Sequence, residues 1–128
     1  MKKLSLILLS LLVFSGETFA TETMVCASRK GEVSASLLMG SLDVVAIASA
    51  SVTFGDKSWA TEAAGDKKIV VGQAFEDGSH LNVDFTDEQI ITKIAELRLV
   101  KASEEDNFAV AGTLRLPGLG AWAVDCTE

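Results

Sequence analysis

The sequence predicts an all-β protein, an antiparallel meander of about eight or nine strands that closes as a small barrel or a tight sandwich. Three observations predict this fold. Short segments of alternating apolar and polar residues follow one another, and turn signals separate them. Cys26 and Cys126 lie near the two ends of the region that follows the N-terminal segment. A chain of 128 residues has room for one such domain, which we place at residues 21–128.

The first twenty residues predict a bacterial signal peptide. Lys2 and Lys3 give a positive start, residues 4–14 form an apolar run, and Thr18 and Ala20 are the small residues of a cleavage site after Ala20. The run is too short to span a bilayer core of about 30 Å as a helix, although an uncleaved anchor helix is the alternative. We therefore expect a periplasmic or secreted protein with no membrane association after cleavage.

The two cysteines predict a disulfide, because an even cysteine count in an exported chain favours pairing in an oxidising compartment. A Cys26–Cys126 bridge would require the first and last strands to be neighbours, since bridged Cα atoms lie roughly 4.4–6.8 Å apart. Two free buried thiols, or a bridge to another chain, are the alternatives. The enclosed loop of 100 residues gives the bridge a stabilisation of roughly 4.7 kcal/mol in the chain-entropy model.

Four turn signals predict hairpins in which apolar side chains share one face. The predicted pairs are Ala35 with Ala46 and Val33 with Ala48 around Gly40-Ser41; Ala74 with Leu81 and Val70 with Phe85 around Asp77-Gly78; Val52 with Trp59 around Gly55-Asp56; and Leu99 with Val110 around the polar loop 103–106.

Two short segments leave helix and strand in competition. The sequence Thr86 to Gln89 reads as a capping box, so we expect at most one short helical turn near 87–92, with a strand from Ala95 to Val100. For Leu42 to Ser51 a helix competes with a long strand that continues to Phe54. The period of two favours the strand.

The last part of the chain predicts one more turn and a final strand. Pro117-Gly118 marks the turn. After it, Trp122, Val124 and Cys126 are expected to share one face, as Met24 and Cys26 do in the first strand.

Composition excludes several function classes. The net charge is −7, with 11 Lys and Arg against 18 Asp and Glu. Removing residues 1–20, which hold Lys2, Lys3 and Glu17, leaves 9 against 17, or −8. Such an acidic chain is a poor match for nucleic acid. One His and two Cys are too few for a zinc ribbon, and we expect neither a metal nor a cofactor.

The candidate chemical residues each have a structural interpretation. His80 is the one imidazole and could act as a base assisted by Asp84, but a half-exposed partner of Phe75 is the expectation. The acidic loop 103–107 could hold calcium, but a solvated hairpin tip is expected. Trp59 and Trp122 are expected to fill the core, whereas a Trp at a barrel mouth would suggest a binding site. We therefore assign no catalytic, cofactor or metal-binding residue.

The general plan is similar to that of short secreted bacterial proteins with a cysteine in the first strand and another in the last. The closing string AGTLRLPGLGAWAVDC fits such a final hairpin. Bacterial lysozyme inhibitors are one group with a comparable disulfide-tied barrel. Their inhibitory loop motif of Ser, Gly, Tyr and Lys has no match in this sequence, so no site residue carries over.

These observations predict a non-catalytic exported domain that binds a protein or envelope component, with a cationic partner such as a lysozyme favoured by the charge. The alternative is a carrier that holds a small ligand inside the barrel. Five small residues on the predicted inner face would make room for it: Ala35, Ala46, Ala48, Ala50 and Gly72. An enzyme that depends on His80 is the third hypothesis.

Overall fold

Nine β-strands and one 3-10 helix, Gly65–Lys67, make up the fold in a computed structural model that describes residues 21–40 and 45–128. The strands are β1 (Thr21–Ser28), β2 (Val33–Gly40), β3 (Ile47–Phe54), β4 (Lys57–Ala60), β5 (Val70–Glu76), β6 (His80–Thr86), β7 (Lys93–Glu104), β8 (Asn107–Leu116) and β9 (Gly120–Thr127). All neighbours are antiparallel, in the order β4-β3-β2-β1-β9-β8-β7-β6-β5. The described residues include no helix long and apolar enough to cross a membrane.

The sheet curls into a nearly closed barrel, and the predicted disulfide joins its first and last strands. Cys26 lies directly opposite Cys126 in the β1–β9 ladder, with an S–S distance of 2.08 Å and a Cα–Cα distance of 4.0 Å. The residues just before the edge strand β5 reach the other edge strand, β4: Ala60 forms a parallel bridge with Lys68, and the backbone N–H of Ile69 donates to the Ala60 carbonyl at 3.1 Å. The all-β prediction and the disulfide prediction are both confirmed, and the barrel is the form adopted.

The core lies inside the barrel and follows the period of two along each strand. Its largest fully buried side chains include Phe85, Leu37 and Leu97. At one end the rings of Phe54 and Trp122 lie 5.0 Å apart between centroids, and half-buried Trp59 packs beside them against the core. We call this the aromatic end; it is defined by Phe54, Trp59 and Trp122. Both tryptophans therefore fill the core, as predicted.

The hairpin predicted at Asp77-Gly78 exists, but its predicted register is wrong by two residues. Ala74 lies opposite Val83. The cause is the carboxylate of Asp77, whose Oδ1 accepts hydrogen bonds from the backbone N–H groups of Ser79 and His80, both at 2.7 Å. An Asp side chain that caps the two following amides sits before the turn and not in it. The shift of two keeps Ala74 facing inward, but the bulge between Val71 and Gln73 places Val71, and not Val70 as predicted, opposite Phe85.

The hairpin predicted around residues 103–106 is also longer than expected. Leu99 lies opposite Gly112 and not Val110, because the strands continue to Glu104 and Asn107 and leave a two-residue turn. That turn places Glu105 at φ +51°. The polar residues assigned to a loop thus extend the β-ladder.

The β2–β3 pairing was predicted with too short a connection. Ala35 lies opposite Val52 instead of Ala46, because β2 ends at Gly40, β3 begins only at Ile47, and the Gly40 N–H donates to the Ala46 carbonyl at 2.8 Å. The predicted turn residue Ser41 and the predicted strand start at Leu42 lie outside the described residues.

A β-bulge changes which residues face inward at the start of β3. The register shifts between Leu38 and Met39, so Ile47 lies opposite Met39 and Ala48 becomes exposed. In a bulge two residues oppose one, which reverses the inward-outward alternation beyond it. From Ala50 to Phe54 the predicted alternation holds, and the segment is a strand and not a helix.

Three other predictions are confirmed. Val52 lies opposite Trp59 across the Gly55-Asp56 turn. The segment from Ala95 to Val100 is part of β7. The chain also turns after Pro117, where the Leu119 N–H donates to the Leu116 carbonyl at 2.9 Å.

Residues 87–92 form a hydrogen-bonded loop without a helical turn. The Asp87 N–H donates to the Thr92 carbonyl at 3.0 Å, and Oδ1 of Asp87 accepts from the N–H of Ile91 at 2.9 Å. Ile90 has φ +58°, a left-handed conformation that is a genuine outlier for a β-branched residue and incompatible with helix continuation. The Asp87 side chain of the predicted capping box therefore closes a loop and does not start a helix. The short helical segment of the fold lies elsewhere, at Gly65–Lys67.

Candidate functional site

Inward-facing positions change from apolar to charged at the barrel end opposite the aromatic end. Along each strand, the residue two positions beyond the last apolar core residue points toward the same interior. The charged residues that follow this rule are Glu22 in β1, Glu76 in β5, Lys101 in β7 and Glu128 directly after β9. The strands therefore direct four ionisable groups into one opening.

These groups surround a pocket of about 440 Å³. Met24, which is 4% exposed, and half-buried Met39 form its apolar inner part, and Phe108, which is 53% exposed, stands at its rim. We call this pocket the acidic mouth. The side chains that line it include Glu22, Met24, Met39, Glu76, Lys101, Phe108 and Glu128.

Lys101 is already engaged within the acidic mouth. Its Nζ lies 3.3 Å from Oε1 of Glu76, its side chain is 15% exposed, and its backbone N–H donates to the Ser79 carbonyl at 2.8 Å. No cation of the described residues lies within ion-pair distance of Glu22 or Glu128. The pKa of Glu128 is raised above its ordinary value of 4.5, first by burial and then by a hydrogen bond and charge repulsion from Glu22. The mouth therefore keeps two carboxylates that have no cationic partner within the described fold.

The two barrel ends differ in charge. Beside the acidic mouth lie further carboxylates at the ends of β5, β7 and β8, so that seven occupy this end: Glu22, Glu76, Asp77, Glu104, Glu105, Asp106 and Glu128. Among the Lys and Arg residues of the described chain, Lys101 alone lies at this end. The turns and the 3-10 helix at the opposite end hold both signs of charge: the basic residues Arg29, Lys30, Lys57, Lys67 and Lys68, and carboxylates that include Glu32, Asp56, Asp66 and Glu88. The excess of carboxylates at the first end creates a negative potential over the mouth.

His80 is not placed as a catalytic base assisted by Asp84. Its Nδ1 lies 3.4 Å from Oδ1 of Asp77, and both side chains are about half exposed (51% and 49%). On the β5 side Phe75 lies opposite Asn82 and not His80 as predicted, because of the register shift described above; on the β7 side His80 lies opposite Val100. Asp84 instead binds Arg98 through Oδ1 at 2.7 Å.

The acidic loop is an exposed hairpin tip in the structure. Residues 102–109 are all exposed, and Glu104 pairs directly with Asn107 across the turn. Within residues 21–40 and 45–128, no group of three His, Cys, Asp or Glu side chains is arranged to hold a metal ion.

A charge cluster on the outer face of β6, β7 and β8 was not foreseen as a unit. Asp84 binds Arg98 and also Nζ of Lys93 at 3.3 Å; Glu96 binds the same Lys93 at 2.6 Å and Arg115 at 2.8 Å. Hydrogen bonds from Lys93 and Arg115 lower the pKa of Glu96 to about 2. Each of these charges has an opposite partner, and the cluster of two carboxylates and three cations ties the three strands together.

The small residues proposed to line an internal ligand site do not share one cavity. Ala35 and Ala50 are buried in the core, whereas Ala48 is exposed and Ala46 lies in the connection before β3. At the β5 bulge, a Cβ on Gly72 would lie 2.7 Å from Cγ2 of Thr86, so that glycine is required by close packing. These positions give the carrier hypothesis no support.

The acidic mouth was missed from the sequence, although a signal for it was present. In β1, β5, β7 and the end of β9 the apolar series with a period of two continues into a charged residue, but only the strand order tells which of these ends meet. Comparisons with protein-family models, curated proteins and solved structures found no match to this chain. The functional proposal therefore depends on the geometry.

Proposed function

We propose that this chain is an exported, non-catalytic binding domain that engages a positively charged protein or envelope component through the acidic mouth. The proposal depends on one observation: four ionisable side chains, three of them carboxylates, converge on a single opening at one barrel end. An interior core has no need of such groups, because burying charge without a partner is costly. Their convergence is best accounted for by a ligand outside the barrel.

The charge layout supports a cationic partner. Seven carboxylates lie at this end of the barrel, three of them line the mouth, and one of these three, Glu76, is paired with Lys101. Charged surfaces of this kind increase association rates for oppositely charged partners more than they increase affinity, and salt weakens the effect. The predicted signal peptide at residues 1–20 and the Cys26–Cys126 disulfide support an oxidising compartment outside the cytoplasm.

A binding assay with a cationic lysozyme as the probe tests this proposal. The full chain is expressed in a bacterium and recovered from the exported fraction, and association is followed by biolayer interferometry at about 20 mM and about 200 mM NaCl. A lysozyme activity assay in the same samples reports whether binding inhibits the probe. We expect binding at low salt that falls at least about tenfold at high salt, with an acidic protein of similar size as the negative probe.

Matched variants locate the contact. The triple variant Glu22→Gln, Glu76→Gln and Glu128→Gln removes three charges from the mouth. The control Glu32→Gln, Asp56→Asn and Asp66→Asn removes three charges from turns at the aromatic end. We expect the first to abolish most of the salt-dependent association and the second to change it by less than about threefold. Equal losses in both variants, or no association of the wild type, would refute the proposal.

A further inference from the structure

We infer that the acidic mouth is a specific subsite for an ammonium group carried on an aliphatic chain, as found in a lysine side chain or a free diamine. This inference rests on the proposed function and narrows it to one chemical class. It combines three features of the mouth: a cavity large enough for a small ligand, an apolar wall, and two carboxylates, Glu22 and Glu128, with no cation of the described residues within ion-pair distance.

The cavity has the size and lining of a small-ligand site. Its volume of about 440 Å³ falls within the range of roughly 300–1,000 Å³ typical of such pockets. Met24 and Met39 offer flexible, polarisable thioethers to an aliphatic stem. Phe108, half exposed at the rim, offers an aromatic face to a cation.

Lys101 shows that the mouth accommodates this chemistry. Its aliphatic stem is largely covered, with the side chain 15% exposed, while its ammonium group lies 3.3 Å from a carboxylate oxygen of Glu76. A second ammonium group entering the mouth would find the same combination in Glu22, Glu128 and the apolar wall. It would also place a positive charge beside Glu128, whose pKa is raised first by burial and then by a hydrogen bond and charge repulsion from Glu22.

Other ligand classes fit less well. An anion would be repelled by the two carboxylates left after the Lys101–Glu76 pair. A metal ion would need a tighter ligand set, since the described residues provide no cluster of three ligating side chains. An uncharged apolar ligand would have to desolvate the carboxylates without pairing them.

Titrations with two probes test the inference and separate the sources of the ammonium group. One probe is cadaverine, a five-carbon diamine; the other is a blocked glycyl-lysyl-glycine peptide. Pentanol supplies the same stem without charge, and sodium chloride supplies charge without a stem. Binding is followed by calorimetry and by NMR shifts of the Met24 and Met39 methyl groups. We expect both ammonium probes to shift these methyls, and pentanol and sodium at equal ionic strength to leave them unmoved.

Paired variants decide the assignment. Glu22→Gln with Glu128→Gln is expected to weaken cadaverine binding at least about tenfold. Glu104→Gln with Glu105→Gln, which changes the same number of charges on the exposed hairpin tip, is expected to change it by less than about twofold. Phe108→Ala is expected to weaken it about threefold or more.

The outcomes distinguish this inference from the broader proposal. Salt-dependent lysozyme association without a cadaverine or lysine-peptide response at the methionine methyls overturns the ammonium subsite and leaves the cationic partner standing. Ammonium binding without any cationic protein supports the subsite and overturns a protein partner. Equal weakening by the two glutamate pairs, or equal shifts with sodium, overturns the subsite.

Discussion

Breaking the Cys26–Cys126 disulfide is expected to lower the free energy of unfolding substantially, because only four residue pairs join β1 and β9 without it. The bond closes a loop of 100 residues, for which the chain-entropy model gives about 4.7 kcal/mol. The β1–β9 ladder it crosses pairs only Val25–Ser28 with residues 124–127, yet this ladder joins the half formed by β1–β4 to the half formed by β5–β9. A domain of this size has a total stability of roughly 5–15 kcal/mol, so the loss is a large fraction of it.

Urea unfolding of the oxidised and the reduced protein measures this cost, because reduction breaks the bond and removes no side-chain carbon. With a urea m-value of about 1–2 kcal/mol per molar, a loss of about 4.7 kcal/mol should lower the midpoint by about 2–5 M. The double variant Cys26→Ala and Cys126→Ala should behave like the reduced protein. Val124→Ala, two residues away on the same buried face, keeps the bond and should lose only about 2 kcal/mol.

A loss below about 1 kcal/mol on reduction would refute the reasoning, since it would mean that strand pairing and packing alone hold the two halves together. Hydrogen exchange provides a second measurement. On reduction, amides of β1 and β9 should exchange faster before those of β7, whose ladders on both sides are longer.

Three further predictions concern single residues. Gly112→Ala should destabilise the fold by about 3 kcal/mol or more, because a Cβ there would overlap the backbone of Arg98; Gly78→Ala, with open space at its Cβ, should change the urea midpoint little. Ile90→Gly should raise the free energy of unfolding by about 0.5–1 kcal/mol, since it relieves a positive φ at a small entropic cost, and an unchanged or lower melting temperature would contradict this. Glu96 has its pKa lowered from 4.5 to about 2, so its contribution is fully present above pH 4.5 and is lost as the pH falls toward 2. Glu96→Gln should therefore cost about 1 kcal/mol at neutral pH, after allowance for solvent screening, and the gap in melting temperature from wild type should close in acid; a constant gap would contradict the assignment.

The two barrel ends differ in the side chains that face inward. At the aromatic end the tilted rings of Phe54 and Trp122 pack against each other and complete the core. At the acidic mouth the inward positions are charged, so the core stops at Met24 and the pocket begins. This polarity gives the proposed binding surface a fixed position relative to the disulfide, which holds β1 and β9 beside each other directly below the mouth.

Local patterns in the sequence determined the strands, the inward faces and the covalent closure of the fold. The period of two placed Leu97 and Leu99 inward, and the cysteine positions required adjacent first and last strands. The strand registers were harder to predict from the sequence, because they depend on hydrogen bonds such as those of the Asp77 carboxylate. These bonds move a turn by one residue without altering the apolar pattern. The bulges before Ile47 and at Gly72 were inaccessible for the same reason.

The acidic mouth was decided only by the tertiary structure. Glu22, Glu76, Lys101 and Glu128 are far apart in the chain, and each alone reads as an ordinary charge at a strand end. Their meeting depends on the order in which nine strands close around a common axis, because closure brings alternate strand ends to one rim. Away from the two bulges in β3 and β5, the sequence by itself determined which residues face inward; the circular order of the strands determined which of those residues face one another.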